Sequence, residues 1–198
     1  SCSRLKSVWV GKGVEAIGKD AFLLCPVTDV YTTDLRDWWH ISFGNGEANP
    51  LHKGGVLHLM DTAGQEITDL VLDTGATYIP NDGLRHCRAL TSVTIGNSVT
   101  TIERSAFNEC DQLSTLIIGE SVSEINGYAF AGCSALKTVM CLAETPPFVR
   151  EFAFSNTPVD VKNVYDVTQL LPVYVPDESV DLYKQQSPWS NYNIQPLS

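Results

Sequence analysis

Cysteines, histidines and clustered carboxylates are the side chains of this 198-residue sequence that could do chemistry, and their spacing decides which chemistry is open to them. His86 adjoins Cys87, the two residue types of a thiolate nucleophile and its base. Neighbours in a strand or turn point apart, however, so adjacency does not make them partners. His52 and His58 lie close enough to suggest a metal site, against the plainer reading of two solvated loop histidines, and His40 stands apart from both. Asp34, Asp37 and Glu47 are oxygen donors of the kind that hold calcium, and a solvated acidic loop has the same composition. Trp38 and Trp39 read as one ring packed on the fold and one facing water. The sequence holds no Gly-x-Ser-x-Gly elbow, phosphate-binding glycine loop or dinucleotide fingerprint. No catalytic residue, metal ligand or cofactor is therefore assigned, and the chain reads as a non-enzyme.

The cysteines are explained by the elements that carry them. LTSVTIGNSVTTIERSAFNECDQ from Leu90 is followed by LSTLIIGESVSEINGYAFAGCSA from Leu113, each 23 residues long. The same frame fits ITDLVLDTGATYIPNDGLRHCRA from Ile67 and LKSVWVGKGVEAIGKDAFLLCPV from Leu5. Positions 1, 4, 6 and 13 are apolar, positions 17 and 18 are Ala-Phe or Gly-Leu, and position 21 is Cys25, Cys87, Cys110 or Cys133. Positions 4 and 6 alternate inward as a short strand does, and a turn such as Asp73-Thr74-Gly75 or Gly96-Asn97-Ser98 follows. One such unit cannot bury its own apolar face, so units must stack. The predicted fold is a repeat solenoid with a parallel β-sheet on one face, short turns or strands on the other and few helices. Cysteines that recur at one core position read as buried thiols. Disulfides are the alternative for an even count, and a zinc site lacks the short Cys-x-x-Cys pair it needs.

Composition fits that picture. Hydrophobic residues at 43% and charged residues at 18% describe a folded chain, and no apolar run approaches the ~18 residues of a membrane span. A net charge of -10 repels nucleic acid and anionic membrane, so neither is expected as a partner. The expected organisation is a single solenoid over residues 1–198: first repeats in 1–26, an elaborated insert in 27–66, three regular repeats in 67–135, and a deformed repeat with a C-terminal cap in 136–198. In the insert, Val27 and Val30 start a strand, while Val56–Asp61 and Ile67–Leu72 around Thr62-Ala63-Gly64-Gln65-Glu66 read as a hairpin. In the last repeat, Thr145-Pro146-Pro147 and a displaced Ala153-Phe154 mark the deformation. Asp177 is read as the cap of a helix through Val180, Leu182, Tyr183 and Lys184, with Trp189 and Tyr192 lying over the open core. Cys2-Ser3-Arg4-Leu5-Lys6-Ser7-Val8 matches Cys133-Ser134-Ala135-Leu136-Lys137-Thr138-Val139, so a repeat is expected before the first one and the chain reads as a piece of a longer one. Strands beginning near Leu5, Val27, Ile67, Leu90, Leu113, Leu136 and Leu170 are expected in one parallel sheet.

The repeat, best seen at Leu90–Cys110 and Leu113–Cys133, resembles the BspA-like leucine-rich repeats of bacterial surface proteins. The ending from Tyr174-Val175-Pro176-Asp177 to Tyr183-Lys184, with Trp189 following, looks like that family's C-terminal cap. Asp37-Trp38, Ile41-Ser42-Phe43 and Ala48-Asn49-Pro50-Leu51 resemble an insert found in some members. The resemblance implies a secreted or surface-displayed bacterial protein, with adhesion or binding to host proteins, and it carries over no catalytic residue.

A candidate site comes from strand position 5, which faces away from the core. It runs Trp9, Tyr31, Val71, Thr94, Ile117, Met140 and Tyr174, apolar or aromatic at all but Thr94. β-branched and aromatic residues stabilise exposed strands in their own right. A continuous exposed apolar stripe also marks a contact surface, for a protein or glycan partner, a neighbouring domain or a second copy in a homodimer. A binding module is thus the leading function, a structural spacer within a larger surface protein the alternative, and an enzyme a distant third.

Overall fold

The computed structural model describes residues 2–73, 75–160, 168 and 170–198. Thr74, the middle of one expected turn, and residues 161–167 and 169 of the expected last repeat lie outside the described residues. The chain divides into two compact units, one of Ser1–Ile67 with His86–Ala89 and one of Thr68–Arg85 with Leu90–Ser198.

The first unit is built on a three-stranded parallel sheet of β1 (Ser7–Val10), β3 (Asp29–Thr32) and β5 (Val56–Leu59), in that order. A second, two-stranded parallel sheet pairs β2 (Ala16–Ile17) with β4 (Ser42–Phe43). The expected elaborated turn is therefore a coil of the solenoid that carries an added helix, because β3 and β4 each pair with their counterparts in the preceding coil. Between them sits α1 (Leu35–His40), whose first N–H groups, from Arg36 and Asp37, donate to the Asp34 carboxylate at 3.1 and 3.2 Å. Trp38 on α1 is buried and meets Phe43 edge-on at 5.8 Å, while Trp39 is half-buried.

The expected hairpin is confined to its turn: β5 runs parallel to β3, and the two arms meet at an isolated antiparallel bridge between Met60 and Glu66, with the Asp61 N–H donating to the Gln65 carbonyl at 2.8 Å. The single continuous sheet is also not found. In a regular coil the position-6 carbonyl accepts from position 7 of the next coil, as Leu72 does from Gly96 at 3.0 Å. In the first unit the Leu59 carbonyl instead accepts the Ile67 N–H at 2.7 Å, so the returning chain takes the acceptor that a following parallel strand would use. Asp61 holds this return in place, its side chain accepting from the N–H groups of Ala63 and Gln65 at 2.8 Å.

The second unit carries a six-stranded parallel sheet of β6 (Asp69–Leu72), β8 (Ser92–Ile95), β10 (Thr115–Ile118), β12 (Thr138–Cys141), β14 (Pro172–Val175) and β15 (Asn193–Pro196). Register is locked, with Val93, Leu116 and Val139 side by side. A four-stranded sheet of two-residue strands, β7 (Tyr78–Ile79), β9 (Thr101–Ile102), β11 (Glu124–Ile125) and β13 (Phe148–Val149), carries the position-13 residues back into the core. Phe107, Phe130 and Phe154 then stack at 5.2 Å centroid spacing, and all three are fully buried. Each such ring is worth about 2 to 3 kcal/mol relative to leaving it in water. Coils are also tied side chain to backbone: Thr91 and Ser114 hydroxyls donate to the Thr68 and Thr91 carbonyls, and Thr100 and Ser123 to those of Thr77 and Thr100.

The turn between the Ala-Phe and cysteine positions is made by left-handed residues. Position 16 holds Asp20, Asp82, Ser105 and Tyr128, and position 20 holds Leu24, His86, Glu109 and Gly132, all at φ between 55° and 78°. Two left-handed residues per coil make the back of the solenoid from tight turns rather than helices. The expected deformation of the last repeat begins with one inserted residue before β13, and the spacing from Val139 on β12 to Val173 on β14 is 34 residues where regular coils have 23. The coil is in step again at Ala153-Phe154, since the Phe130 N–H donates to the Ala153 carbonyl as Phe107 does to Ala129.

The cap closes the core as expected. Trp189 and Tyr183 are fully buried and meet edge-on at 5.0 Å, Trp189 Nε1 donates to the Pro147 carbonyl at 2.7 Å, and Tyr183 Oη donates to that of Ala143 at 2.7 Å. Tyr192 meets Phe154 edge-on at 5.8 Å. Asp177 does not cap α2 (Val180–Gln185), whose N-cap position is Ser179. Its carboxylate instead accepts from the backbone N–H and hydroxyl of Ser198, fixing the tail.

Candidate functional site

Position 5 falls on two sheets, so the expected single stripe is two ladders. In the first unit Trp9 pairs in register with Tyr31, and Tyr31 with His58, a member the sequence pattern did not place there. The rings stack as a column: Trp9 on Tyr31 at 4.6 Å and 12°, Tyr31 on His58 at 4.5 Å and 14°. His58 is fixed from both sides, Nδ1 lying 2.5 Å from Glu66 Oε1 and Nε2 3.0 Å from Asp29 Oδ1. The Thr28 hydroxyl donates to Asp29 at 2.7 Å, and this bond, with the His58 contact, holds the Asp29 carboxyl below the usual range. Trp9 on β1 is 62% exposed.

In the second unit Val71, Thr94, Ile117, Met140, Tyr174 and Gln195 follow one another across the sheet. Val71 is 61% exposed, and Thr94, Ile117, Met140 and Tyr174 are half-buried against one another. Gln195, on the strand after the cap, ends the apolar run; β15 was not legible as a strand because its Asn-Ile-Gln-Pro sequence has no repeat signature.

The residues that suggested chemistry have structural roles. Asp34 caps α1 and lies 3.5 Å from Lys12, and its carboxyl is held low mainly by the Asp37 N–H. Asp37 accepts from the Gly13 N–H at 3.0 Å, closing a turn against the neighbouring coil. His40 and His52 pair through Nδ1 with the carbonyls of Arg36 and Asn49 at 2.6 and 2.8 Å, while His58 sits in the ring column. His86 is buried. Among the described residues no group of three or more His, Cys, Asp or Glu forms a metal site, and no helix is long and apolar enough to cross a membrane.

Cys25, Cys87, Cys110, Cys133 and Cys141 are buried and unbridged, as the repeat position predicts, and Cys2 is exposed. Cys110 and Cys133 donate to the Leu84 and Phe107 carbonyls of the preceding coil at 3.2 and 3.3 Å. Burial pushes the Cys133 thiol well up, and pushes Cys141 up to about 11. Such thiols are poor nucleophiles and good packing.

Two open clefts flank the exposed ring of Phe148 in the second unit. One, of about 850 Å³, is bordered by Glu120, Ser123, Glu144 and Gln186. The other, of about 630 Å³, is bordered by Arg104, Tyr128, Arg150 and Phe152. Sequence reasoning missed both, because their rings come from positions that the repeat leaves variable.

Residues 63–170 match the BspA type leucine rich repeat region in six copies. A leucine rich cell surface protein from Faecalibacterium prausnitzii A2-165, of solved structure, aligns at a TM-score of 0.48 and 18% identity, over 100% of this chain and 61% of that one. The chain thus spans 61% of that protein's length. No curated protein matches it. The chain belongs to the BspA type leucine rich repeat family.

Proposed function

We propose that this member of the BspA type family is a non-enzymatic binding module, secreted or displayed at a bacterial surface, which holds a host-derived protein or glycan on its outward strand ladders. The observation that carries the reading is the exposure of Trp9 at 62% and Val71 at 61%, each beginning a ladder of in-register apolar or aromatic side chains. A flat row of side chains on a rigid parallel sheet loses little conformational freedom on binding, which favours a broad contact.

Serine or threonine at Trp9, Ile117 and Met140 together tests it. Adhesion of the purified protein to cultured host cells should be lost, with melting behaviour nearly unchanged. Unaltered adhesion would refute the role of the ladders. Sedimentation of the same variant separates a foreign partner from a homodimer, since a dimer in the parent protein that is lost in the variant identifies a second copy.

The half-burial of Thr94, Ile117, Met140 and Tyr174 favours a second reading, a structural spacer whose ladder stabilises only its own sheet. Same-face pairs are worth roughly 0.2 to 1 kcal/mol each. A spacer would show a lowered melting temperature in the triple variant and no partner to lose.

A further inference from the structure

The cleft of about 630 Å³ beside the four-stranded sheet is lined by none of the strand-ladder residues. Tyr128 and Phe152 occupy equivalent places in consecutive coils and stack at 5.3 Å and 22°. Both have left-handed backbones, at φ 62° and 63°, and Phe152 is 49% exposed. A bulky ring in that conformation is strained, and exposing it to water adds a second penalty. The coil has no need of the ring: the same place is Asp20, Asp82 and Ser105 elsewhere, each equally left-handed. A third ring, Phe148, is 55% exposed at the rim.

The polar groups around these rings alternate in sign and are already ordered. The Arg104 guanidinium lies 4.8 Å from the Tyr128 ring centre, and that of Arg150 5.2 Å from Phe148. Arg150 donates to Glu124 Oε1 at 2.9 and 3.1 Å and to Asn126 Oδ1 at 2.6 Å, and Asn126 donates in turn to Glu103 at 3.1 Å. An anionic ligand would meet Glu103 and Glu151, and a cationic one Arg104 and Arg150. A neutral polyol suits both, since its hydroxyls donate to the carboxylates and accept from the guanidinium and amide groups. Flat rings beside such groups match a pyranose, which has an apolar C–H face and a hydroxyl-bearing rim. The volume lies within the roughly 300 to 1,000 Å³ of small-ligand sites. We infer that this cleft binds a neutral oligosaccharide, one sugar ring packing on the Phe152–Tyr128 edge and its hydroxyls reaching Glu103, Asn126 and Arg150.

The test uses the full chain on an array of immobilised oligosaccharides, neutral ones ending in hexose or N-acetylhexosamine and their sialylated and sulfated counterparts. Titration calorimetry then follows with the best-retained neutral sugar. Retention of a neutral oligosaccharide is expected, weakened about tenfold by Phe152→Gly and similarly by Tyr128→Gly. Glycine suits the left-handed backbone at both places, so loss of binding would not stem from backbone strain. Glu103→Gln keeps both rings and should also weaken binding, whereas serine at Val71 and Ile117 should leave it unchanged, which separates this site from the ladders. The inference is overturned if no oligosaccharide is retained, if only sialylated or sulfated ones are, or if the neutral sugar binds Phe152→Gly as tightly as the parent.

Discussion

Leu24→Gly should stabilise the first unit. Leu24 has φ 59° and is 65% exposed, so its side chain contributes little burial while its backbone occupies the left-handed region. That conformation costs an ordinary L-residue roughly 1 to 2 kcal/mol. Glycine removes the penalty and returns about 0.5 to 1 kcal/mol through the larger entropy of its unfolded state. The net expectation is a gain of about 0.5 to 1 kcal/mol. The equivalent place in a later coil is already glycine, Gly132 at φ 78°. Running the change backwards, Gly132→Ala should lose about 1 kcal/mol, with its new Cβ also placed 3.0 Å from the Glu109 carboxylate. Asp82→Gly is the control: aspartate enters the left-handed region at little cost, and the exposed Asp82–Arg85 pair at 3.4 Å adds little, so the two effects should nearly cancel. Urea unfolding read by circular dichroism gives the order, with midpoints shifting and slopes constant. A lowered midpoint for Leu24→Gly with an unmoved one for Gly132→Ala would refute the idea that these turns store backbone strain.

Three further predictions follow from the packing. A thiol reagent should titrate one cysteine, Cys2, in the native protein and all six after unfolding without reductant; fewer after unfolding would show disulfides or prior oxidation. Cys141 is held protonated when folded, its pKa raised from 9.0 to about 11, so its share of stability is full below about pH 9 and is lost as pH rises to about 11. The buried Cys133 and Tyr183 shift the same way, and urea midpoints measured across this range should fall less steeply in Cys141→Val. Trp189→Ala, which removes a fully buried ring and strands the Pro147 carbonyl, should lower the stability of the second unit by about 3 to 5 kcal/mol, measured by urea unfolding, and no loss would mean that the cap is dispensable.

Periodicity made most of the second unit legible, since an apolar residue at position 4, 6 or 18 has one place to go once coils stack. Val93, Leu116 and Val139 align side by side, Phe107 and Phe130 stack, and the cysteines fall in the core. The first unit was harder because α1 lengthens its second coil and removes the Ala-Phe and cysteine marks, leaving the short β4 with no pattern to announce it. A hairpin was expected around residues 62–66 because two apolar strands flank a polar turn, and sequence cannot show that the Leu59 carbonyl pairs with Ile67 while β5 joins β3. The outward ladder was legible in its residues but not in its division, nor in His58, whose coil lacks a repeat signature. The aromatic cleft was out of reach, because position 16 is defined by its backbone conformation and accepts Asp, Ser, Tyr or Phe alike.

The register-locked stacking of the second unit also sets how it answers a mechanical load. Pulled apart between Thr68 and Ser198, each parallel strand pair is loaded across its hydrogen bonds in series, so the weakest interface parts first and the bonds within it part together. Every 23-residue coil that peels away releases chain with a contour of roughly 80 Å. Force against extension should then show a sawtooth with nearly equal teeth for the regular coils and a longer step for the 34 residues between Val139 and Val173, with the better-buried cap end yielding last. A tether built this way lengthens in steps and dissipates work at each one, where a fold with a single shared hydrogen-bond clamp holds rigid until it fails.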